Sequence, residues 1–275
     1  MSELVNETIT LLDRIKRKGP LIHNITNFVV MNSTANILLA IGASPVMAHC
    51  RAEVEEMTAL AAALVLNIGT LQEDWVASMI AAGKTANGRQ IPVILDPVGA
   101  GATALRTRSV KHIMQTCSVS VLRGNASEIL SLVSSKVKTK GVDSSIGLSD
   151  AGIAAAVELA RMQGCIIAVS GQEDCITDGR RSFRVANGHP LMTKVTGIGC
   201  GLSAVTAAFC AVAEPGDQLT AVAGAFAFYG LCAELAIQTS DRPGTFFVAF
   251  LDHLYSAGAQ EIRKGLKVSL QTEGN

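Results

Sequence analysis

Residues 91–104 read Ile91-Pro-Val-Ile-Leu-Asp96-Pro-Val-Gly-Ala-Gly-Ala-Thr-Ala104, which is a short apolar run, an aspartate and a glycine-rich turn. A helical pattern follows at Leu105–Cys117. A buried strand that leads through a turn into a helix is the repeating unit of α/β folds with a largely parallel sheet. This stretch therefore predicts an α/β fold and puts Asp96 at the carboxyl end of a strand.

The same unit recurs on both sides of this stretch. Including this one, the predicted strands are Leu21–Thr26, Pro45–Met47, Ala63–Ile68, Ile91–Asp96, Ser118–Leu122 and Cys165–Ser170. The helical patterns between them are Val30–Ala40, Glu53–Ala62, Glu73–Thr85, Leu105–Cys117, Ser127–Leu132 and Asp150–Met162, with Gly83, Gly88 and Gly164 as candidate helix ends. Because ligands of parallel sheets bind at the carboxyl ends of the strands, we expect the functional residues there.

The pattern changes after Ser170. Two short runs, Asp174–Thr177 and Ser182–Val185, flank a turn and predict an antiparallel hairpin. The sequence then predicts helices only, at Cys200–Ala213, Gln218–Gln238 and Thr245–Leu266, and Ser134–Ser149 is expected to be a flexible loop. No internal repeat or low-complexity tract is present, so residues 1–275 are predicted to form a single domain.

Composition and charge exclude several classes of protein. A hydrophobic share of 49% with 17% charged residues excludes a disordered chain. The 23 basic and 23 acidic side chains balance, so the positive field of a nucleic-acid binder is missing. Seven cysteines without a CxxC pair indicate neither a disulfide framework nor a zinc site. Met1–Lys18 has no apolar signal region, so a cytoplasmic protein is expected.

Two uncharged stretches, Gly19–Cys50 and Val195–Ala213, are long enough to be considered as membrane spans. The first contains four asparagines, whose amides would need partners in hydrocarbon. The second begins with a glycine-rich turn that leaves only a short helix. We therefore expect no membrane insertion.

That glycine-rich turn, Gly197-Ile198-Gly199-Cys200-Gly201, leads into a predicted helix. Glycines let backbone N–H groups approach an anion, and the positive helix N-terminus adds attraction, so the turn predicts a cradle for phosphate or an oxyanion. The structural alternative is a tight turn that packs the helix against the sheet. Helix N-termini lower cysteine pKa values, so Cys200 could be reactive, although a buried inert cysteine is the commoner case.

The segment Arg123-Gly-Asn125-Ala-Ser-Glu128 follows the predicted strand Ser118–Leu122. Asn125 and Glu128 match a capping box, which is a sufficient structural reason for both. Arg123 and Glu128 would equally suit a phosphate and a hydrated Mg²⁺ ion. The residues alone leave both interpretations open.

Residues 99–104 formally match the GxGxxG/A dinucleotide-binding pattern. That pattern expects an acidic residue about 20 positions further on, where Arg123 stands instead. Asp96 is better interpreted as a carboxylate beside a metal-bound water or a phosphate. An ordinary turn is the structural alternative.

Several blocks of the chain together resemble the hydroxyethylthiazole kinases of the ribokinase-like superfamily. The segments His23–Asn32, Thr34–Asn36 and Gly42–Met47 are similar to that family's substrate region, and Leu66–Thr70, Asp96–Ala100, Arg123–Glu128 and Val195–Cys200 follow in the family's order. The resemblance implies a ribokinase-like three-layer α/β fold with a largely parallel central sheet and no separate lid domain. It also implies a homotrimer with sites between subunits.

The resemblance further implies ATP- and Mg²⁺-dependent phosphorylation of the hydroxyl of 4-methyl-5-(2-hydroxyethyl)thiazole in thiamine salvage. The implied site residues are Met47, Gly197, Asn27 and Val29 for the thiazole alcohol; Arg123, Ser170 and Asn125 for ATP; Asp96 and Glu128 for Mg²⁺; and Cys200, Gly197 and Gly199 at the reacting hydroxyl. A neutral alcohol suits the uncharged segment Asn24–Met47, with its methionines and asparagines.

Cys200 stands where the wider superfamily usually has an aspartate as general base. Our hypothesis is that Cys200 mainly shapes the site, because the proton of an alcohol can leave late in a loose transition state. Ser170 and Ile198 stand where threonine is common in the family. The alternatives are a hydroxymethylpyrimidine kinase, an ADP-dependent hydrate repair enzyme, a nicotinamide-dependent oxidoreductase and a non-catalytic binder.

Overall fold

The structure, a computed structural model, describes residues 2–133 and 149–272. Its strands are β1 Leu21–Ile25, β2 Ser44–Val46, β3 Ala63–Asn67, β4 Val93–Asp96, β5 Val121–Asn125, β6 Ile166–Ser170, β7 Asp174–Thr177, β8 Arg181–Val185 and β9 Val268–Thr272. Its helices are α1 Ser2–Lys18, α2 Met31–Ile41, α3 Val54–Leu60, α4 Glu73–Gly88, α5 Ala104–Thr116, α6 Ala126–Leu132, α7 Asp150–Gln163, α8 Ile198–Val212, α9 Gln218–Ile237, α10 Pro243–Ser256 and α11 Ala259–Gly265. A 3₁₀ turn spans Pro190–Lys194. The predicted loop Ser134–Ser149 lies outside the described residues except for Ser149.

The described strands form one sheet in the order β2-β1-β3-β4-β5-β6-β7-β8-β9. Strands β1 to β6 pair in parallel, and β7, β8 and β9 are antiparallel. The α/β class, the largely parallel sheet and the hairpin are therefore confirmed. The carboxyl ends of six strands meet at one edge of the sheet.

Helices cover both faces of the sheet and give three layers. On one face, side chains of α1, α2 and α8 to α11 form a core that includes Phe209, Phe226, Tyr229 and Phe250. On the other face, helices α3 to α7 bury a second core around Met79 and neighbouring apolar residues. Successive residues of a strand point to opposite faces, so β4 contributes Ile94 to the first core and Val93 and Leu95 to the second.

Helix α9 is long and apolar enough to cross a membrane by length and composition. Most of it is buried inside the protein, as in the core helix of a soluble protein. The two uncharged stretches of the sequence contain only the shorter apolar helices α2 and α8.

Several boundaries differ from the predictions. Strand β5 extends through Asn125, because Arg123, Gly124 and Asn125 pair with β6 despite their low strand propensity. Gly83 lies inside α4 rather than at its end. The position needs a glycine because a Cβ there would lie 2.5 Å from Cys117 Sγ. By contrast, Gly164 ends α7 in the left-handed conformation with φ 63°, as predicted.

The two ends of the described chain add elements that the sequence did not predict. Helix α1 buries Leu4, Leu11 and Ile15 on one face, beneath a heavily charged opposite face. The predicted helix Thr245–Leu266 is divided into α10 and α11, and β9 then pairs with β8. That residues 1–275 form one domain stays a prediction.

Candidate active site

The polar residues predicted from the sequence converge at the carboxyl edge of the sheet. Asp96 ends β4 and Ser170 ends β6. Arg123 and Asn125 are among the last three residues of β5. Helix α8 begins next to the same edge, where the Gly199 carbonyl in its first turn accepts a hydrogen bond from Arg123. The fold thus brings these separate segments into one site.

The Asp96 carboxylate is the most buried charge of this site, with 1% of its surface exposed. Its Oδ2 accepts hydrogen bonds from Asn67 Nδ2 at 2.8 Å and from Ser203 Oγ at 2.7 Å. Burial raises the pKa of Asp96 to about 6, although Arg123 opposes the shift with Nη1 4.0 Å from Oδ2. A second cation in this site would therefore stabilise the ionised carboxylate.

Arg123 is buried and uses only part of its donor capacity. Nη1 donates to the Gly199 carbonyl at 3.0 Å, and Nη2 donates to Ser170 Oγ at 2.8 Å. Within the described residues, the buried Nε has no hydrogen-bond partner. An unpaired buried donor is costly, so this guanidinium is suited to an incoming anion.

A second buried carboxyl group lies within the field of Arg123. Asp174 begins β7, and its Oδ1 accepts from the Gly171 backbone N–H at 2.9 Å. Burial raises the pKa of Asp174 to about 7, while the Gly171 bond and Arg123 lower it. Arg123 therefore interacts with two buried carboxyl groups, Asp96 and Asp174, whose ionised forms it stabilises.

The capping box predicted at Asn125 and Glu128 is present. Asn125 Oδ1 accepts from the Glu128 N–H, and Glu128 Oε2 accepts from the Asn125 N–H, both at 2.9 Å. Glu128 Oε1 accepts from the Gly99 N–H at 2.9 Å and so fixes the loop after β4. Both carboxylate oxygens of Glu128 therefore have backbone partners.

The loop after β4 does not have the open helix start of a dinucleotide-binding turn. Helix α5 is capped by the Thr103 side chain, which accepts from the Arg106 N–H at 3.3 Å. The Arg106 guanidinium donates to the carbonyls of Ile68, Val98 and Gly69. Residues 99–104 are thus fixed by protein contacts, as expected of a structural turn.

Helix α8, in contrast, begins without a side-chain cap. Gly197 has φ 89°, and a Cβ there would lie 2.7 Å from Ser33 Oγ, so only glycine fits. The first intrahelical donor is the Gly201 N–H, which bonds the Gly197 carbonyl at 2.8 Å. The N–H groups of residues 198–200 precede it, and Gly199 is exposed, so the helix start can be reached by a ligand.

Cys200 lies in this first turn and is half-buried. Burial and the nearby Asp96 raise the pKa of Cys200 to about 11, against weaker opposing effects of Asn67, Arg123 and Asn27. Of the two interpretations that the sequence left open for Cys200, this supports the buried and inert thiol over one activated by the helix N-terminus, because desolvation raises its pKa. The thiol is protonated at neutral pH.

The residues predicted for the alcohol pocket differ in their surroundings. Asn27 is buried, and its Nδ2 donates to Asn67 Oδ1 at 2.8 Å and to Cys200 Sγ at 3.5 Å. Val29 is 64% exposed, and Met47, next to β2, is half-buried. The structure therefore joins Asn27 to the site and leaves Val29 and Met47 reachable from solvent.

Two polar residues of this site had no role in the sequence analysis. Asn67 ends β3 and is 1% exposed, and Ser203 lies in the first turns of α8 and is fully buried. An asparagine at the end of an apolar strand is a signal that could have identified Asn67. Ser203 has no comparable signal, since only the packing of α8 brings it to Asp96.

Comparison with known proteins adds independent evidence. The family model described as "Hydroxyethylthiazole kinase family" matches residues 12–260. The chain belongs to this family. The resemblance found in the sequence is therefore confirmed.

Individual members of the hydroxyethylthiazole kinase family align with nearly the whole chain. The hydroxyethylthiazole kinase of Desulfotalea psychrophila is 55% identical over 257 residues, which are 94% of this chain and 93% of that protein. The solved structure of the hydroxyethylthiazole kinase from Pyrococcus horikoshii OT3 superimposes with a TM-score of 0.88 at 44% identity, covering 96% of this chain and 98% of that one.

The likeness extends to the wider fold class. The pyridoxal kinase of Staphylococcus aureus, solved with AMP-PCP and pyridoxal, matches with a TM-score of 0.61 at 12% identity, over 92% of this chain and 98% of that one. At this identity only the fold is shared. The predicted ribokinase-like fold is confirmed.

Proposed function

We propose that this chain transfers the terminal phosphoryl group of ATP to the hydroxyl of 4-methyl-5-(2-hydroxyethyl)thiazole and yields its monophosphate in thiamine salvage. Membership of the hydroxyethylthiazole kinase family supports the substrate. The observation that best supports the chemistry is the uncapped start of α8 beside the buried Arg123. Phosphoryl transfer asks a protein mainly for positioning and for stabilisation of charge, which these groups supply.

ATP would use the cationic side of the site. Arg123 has an unused Nε donor, and Ser170 holds its Nη2, so both are suited to phosphate oxygens. The N–H groups of residues 198–200 would receive the transferring phosphoryl group at the positive end of α8. Asn125, whose side-chain oxygen already caps α6, would contact the nucleotide through its exposed surface.

The residues present fit a Mg²⁺ ion held largely by phosphates and water. Mg²⁺ usually binds one or two carboxylates together with substrate phosphates. Asp96 and Glu128 would supply those carboxylates, and the charge of Glu128 already raises the pKa of Asp96. Among residues 2–133 and 149–272, no group of three or more His, Cys, Asp or Glu forms an all-protein metal cage. When bound, Mg²⁺ would neutralise charge on the phosphates.

The alcohol would lie between Asn27 and the start of α8. The hydroxyethyl group would lie against the backbone of Gly197, with Gly199 and Cys200 beside it, and Met47 and Val29 would contact the thiazole ring. The Cys200 thiol, with its pKa raised to about 11, is a poor base at neutral pH. We therefore propose that the hydroxyl proton leaves late, after the phosphoryl group has begun to transfer.

We also propose that the chain acts as a cytoplasmic homotrimer with sites between subunits. Phe28 is 56% exposed and Val29 is 64% exposed, and both follow the buried Asn27 of the site. Exposed apolar side chains of this kind favour a protein interface. Sedimentation equilibrium of the purified protein tests the trimer, and a monomer that retains full activity would contradict it.

The test of the proposed function is ADP release with Mg-ATP and hydroxyethylthiazole, beside hydroxymethylpyrimidine and a blank without alcohol. We expect turnover with the thiazole only. Turnover restricted to the pyrimidine would change the substrate, and turnover with neither would contradict the kinase assignment. Heat protection by ATP rather than by NAD separates the kinase from an oxidoreductase.

A further inference from the structure

One continuous set of hydrogen bonds joins the alcohol side of the site to the carboxylate side, and Asn67 is at its centre. Asn67 Oδ1 accepts from Asn27 Nδ2 at 2.8 Å and from the Gly69 N–H at 2.9 Å. Asn67 Nδ2 donates to Asp96 Oδ2 at 2.8 Å. These partners determine the orientation of the Asn67 amide. If the amide were reversed, its NH₂ group would face two other donors, Asn27 Nδ2 and the Gly69 N–H.

This arrangement determines which atom Asn27 can offer to a ligand. Its Nδ2 donates to Asn67 Oδ1 and to Cys200 Sγ, so both hydrogens of the amide are used. Its Oδ1 accepts no hydrogen bond from the described residues. Asn27 therefore presents an acceptor, which suits the O–H of an alcohol.

The other end of the set holds the carboxylate. Asp96 Oδ2 receives Asn67 Nδ2 and Ser203 Oγ, so two neutral donors fix one oxygen of a group that is 1% exposed. Ser203 belongs to α8, the helix whose start forms the proposed cradle. Asn67 and Ser203 thus fix Asp96 relative to both the alcohol pocket and the helix.

We propose that Asn67 is a positioning residue that couples the two halves of the reaction centre: it orients Asn27 toward the acceptor hydroxyl and holds Asp96 for the metal-bound phosphates. It acts through these two residues rather than on a ligand. The inference rests on the proposed kinase function. A residue of this kind contributes to alignment of the reacting groups, where a displacement of about 1 Å lowers the rate about 10²-fold.

Single substitutions can disturb the Asn27 side or the Asp96 side of this hydrogen-bonded set separately. In Gly69→Ala, the new Cβ would lie 2.6 Å from Asn27 Nδ2, so only the alcohol end is displaced. Ser203→Ala removes one donor to Asp96 and leaves Asn27 unchanged. Asn67→Leu removes all three bonds and keeps the number of side-chain heavy atoms, although its methyl groups are bulkier. Asn187→Leu is the matched control, since Asn187 is a buried asparagine outside the proposed site whose side chain also bonds three partners: the Glu234 carboxylate, the Gly265 carbonyl and the Lys267 N–H.

The experiment measures kcat, the KM for hydroxyethylthiazole, the Mg²⁺ concentration for half-maximal activity and the Mg²⁺ dependence of thermal stabilisation by ATP. We expect Gly69→Ala to raise only the thiazole KM and Ser203→Ala to raise only the Mg²⁺ requirement, each about 10-fold. Asn67→Leu should raise both and lower kcat about 10²-fold. Asn187→Leu should lower only the melting temperature.

The proposal is overturned if Asn67→Leu lowers the melting temperature but matches Asn187→Leu in all kinetic constants, or if it changes only the thiazole KM or only the Mg²⁺ requirement. Should Asn67→Leu fail to fold, Asn67→Ala removes the same three bonds with a smaller side chain. It should likewise raise the thiazole KM and the Mg²⁺ requirement, and wild-type values of both would also overturn the proposal. If Mg-ATP stabilises the wild-type protein but the thiazole is not phosphorylated, only the proposed function is contradicted. The Mg²⁺ dependence of thermal stabilisation by ATP in the variants still tests whether Asn67 holds Asp96.

Discussion

Helices α6 and α8 both begin at the carboxyl edge of the sheet, and their N-termini are built in opposite ways. The start of α6 is closed, because the side chains of Asn125 and Glu128 bond each other's backbone N–H groups. The start of α8 has glycine at Gly197 and no side-chain cap. The difference teaches that a closed helix start serves the fold, whereas an open one leaves donors for a ligand.

Arg123 connects these two helix starts. It lies on β5, which leads directly into α6, and its Nη1 bonds the Gly199 carbonyl in the first turn of α8. A Cβ on Gly199 would lie 3.3 Å from this Nη1, so the guanidinium and the glycine backbone are in close contact. The geometry at the open start of α8 therefore depends on β5, the strand that leads into the closed start of α6.

The largest effect is expected from Gly197→Ala, which would break the open start. Alanine is strained at φ 89°, and its Cβ would lie 2.7 Å from Ser33 Oγ, so the N–H groups of residues 198–200 must move. Loss of one such donor lowers kcat about 10²–10³-fold. Steady-state kinetics with Mg-ATP and the thiazole measures this.

Gly216→Ala is the matched control for backbone strain. Gly216 has φ 96° in the break between α8 and α9, and a Cβ there meets nothing within 4 Å. It should lose about 1 kcal/mol of stability with unchanged kinetics. Wild-type kcat in Gly197→Ala would show that the open start does not hold the transferring phosphate.

The second prediction concerns Asp96, which lies between the two helix starts and interacts with Ser203 of α8 and Glu128 of α6. Asp96→Asn removes the carboxylate proposed for Mg²⁺ and should lower kcat about 10²-fold. It should also change how stability depends on pH. Burial raises the pKa of Asp96 from 3.8 to about 6, despite the opposing charge of Arg123, so the folded protein binds a proton more tightly than the unfolded chain does.

The sign follows from linkage. Between about pH 4 and 6 the folded state holds more protons at Asp96 than the unfolded state does, so this group's contribution to the free energy of unfolding falls as pH rises. Urea unfolding of wild type and Asp96→Asn at pH 4.5 and pH 8 measures the difference. Asp13→Asn, at an exposed position on α1, is the control. Parallel pH curves for wild type and Asp96→Asn would contradict the shifted pKa.

Much of the fold could be predicted because its signals are local. The apolar runs of β1, β3 and β6 and the turns after them determine the parallel sheet, and Gly164 ends α7 by its own backbone preference. The end of β5 could not be predicted, since Arg123 and Asn125 are poor strand formers that become strand by pairing with β6. Gly83 was misinterpreted for the same reason, because its role is contact with Cys117 on another segment.

The site residues also divide into those with a local sequence signal and those that depend on tertiary contacts. Asp96 and Arg123 were predicted because each comes at the end of an apolar run, and the capping box of Asn125 and Glu128 follows from spacing alone. Asn67 received no role, since its importance lies in its contacts with Asn27 in the loop after β1 and with Asp96 at the end of β4. The sequence left a reactive and an inert Cys200 open, because the helix N-terminus is visible in the local sequence whereas the burial that raises the pKa of this thiol comes from tertiary packing.

The third prediction tests whether the closed start has a second role. Glu128→Gln keeps one oxygen for the Asn125 N–H, places an NH₂ group opposite the Gly99 N–H and removes the negative charge. The lost Gly99 bond should lower the melting temperature, and if Glu128 helps to hold Mg²⁺, the Mg²⁺ concentration for half-maximal activity should also rise about 10-fold. A titration of activity with Mg²⁺, combined with a thermal melt, measures both.

Ser149→Ala is the comparison for loss of a cap alone. Ser149 accepts from the Gly152 N–H at 3.3 Å at the start of α7, and its removal costs about 1 kcal/mol. If Glu128→Gln behaves like Ser149→Ala, with a lower melting temperature and an unchanged Mg²⁺ titration, then Glu128 is a capping residue only.

The smallest effect is expected from Cys200→Ala, in the first turn of the open start. Burial and Asp96 raise the pKa of Cys200 to about 11, so at pH 7 the thiol is almost entirely protonated. A group so rarely ionised contributes little as a base, and kcat should stay within about 10-fold of wild type. Cys210→Ala, a buried cysteine of the same helix, should change stability alone. A loss of several orders of magnitude in Cys200→Ala that Cys200→Asp restores would make the thiol a general base, and the open start would then need a proton acceptor as well as its free N–H groups.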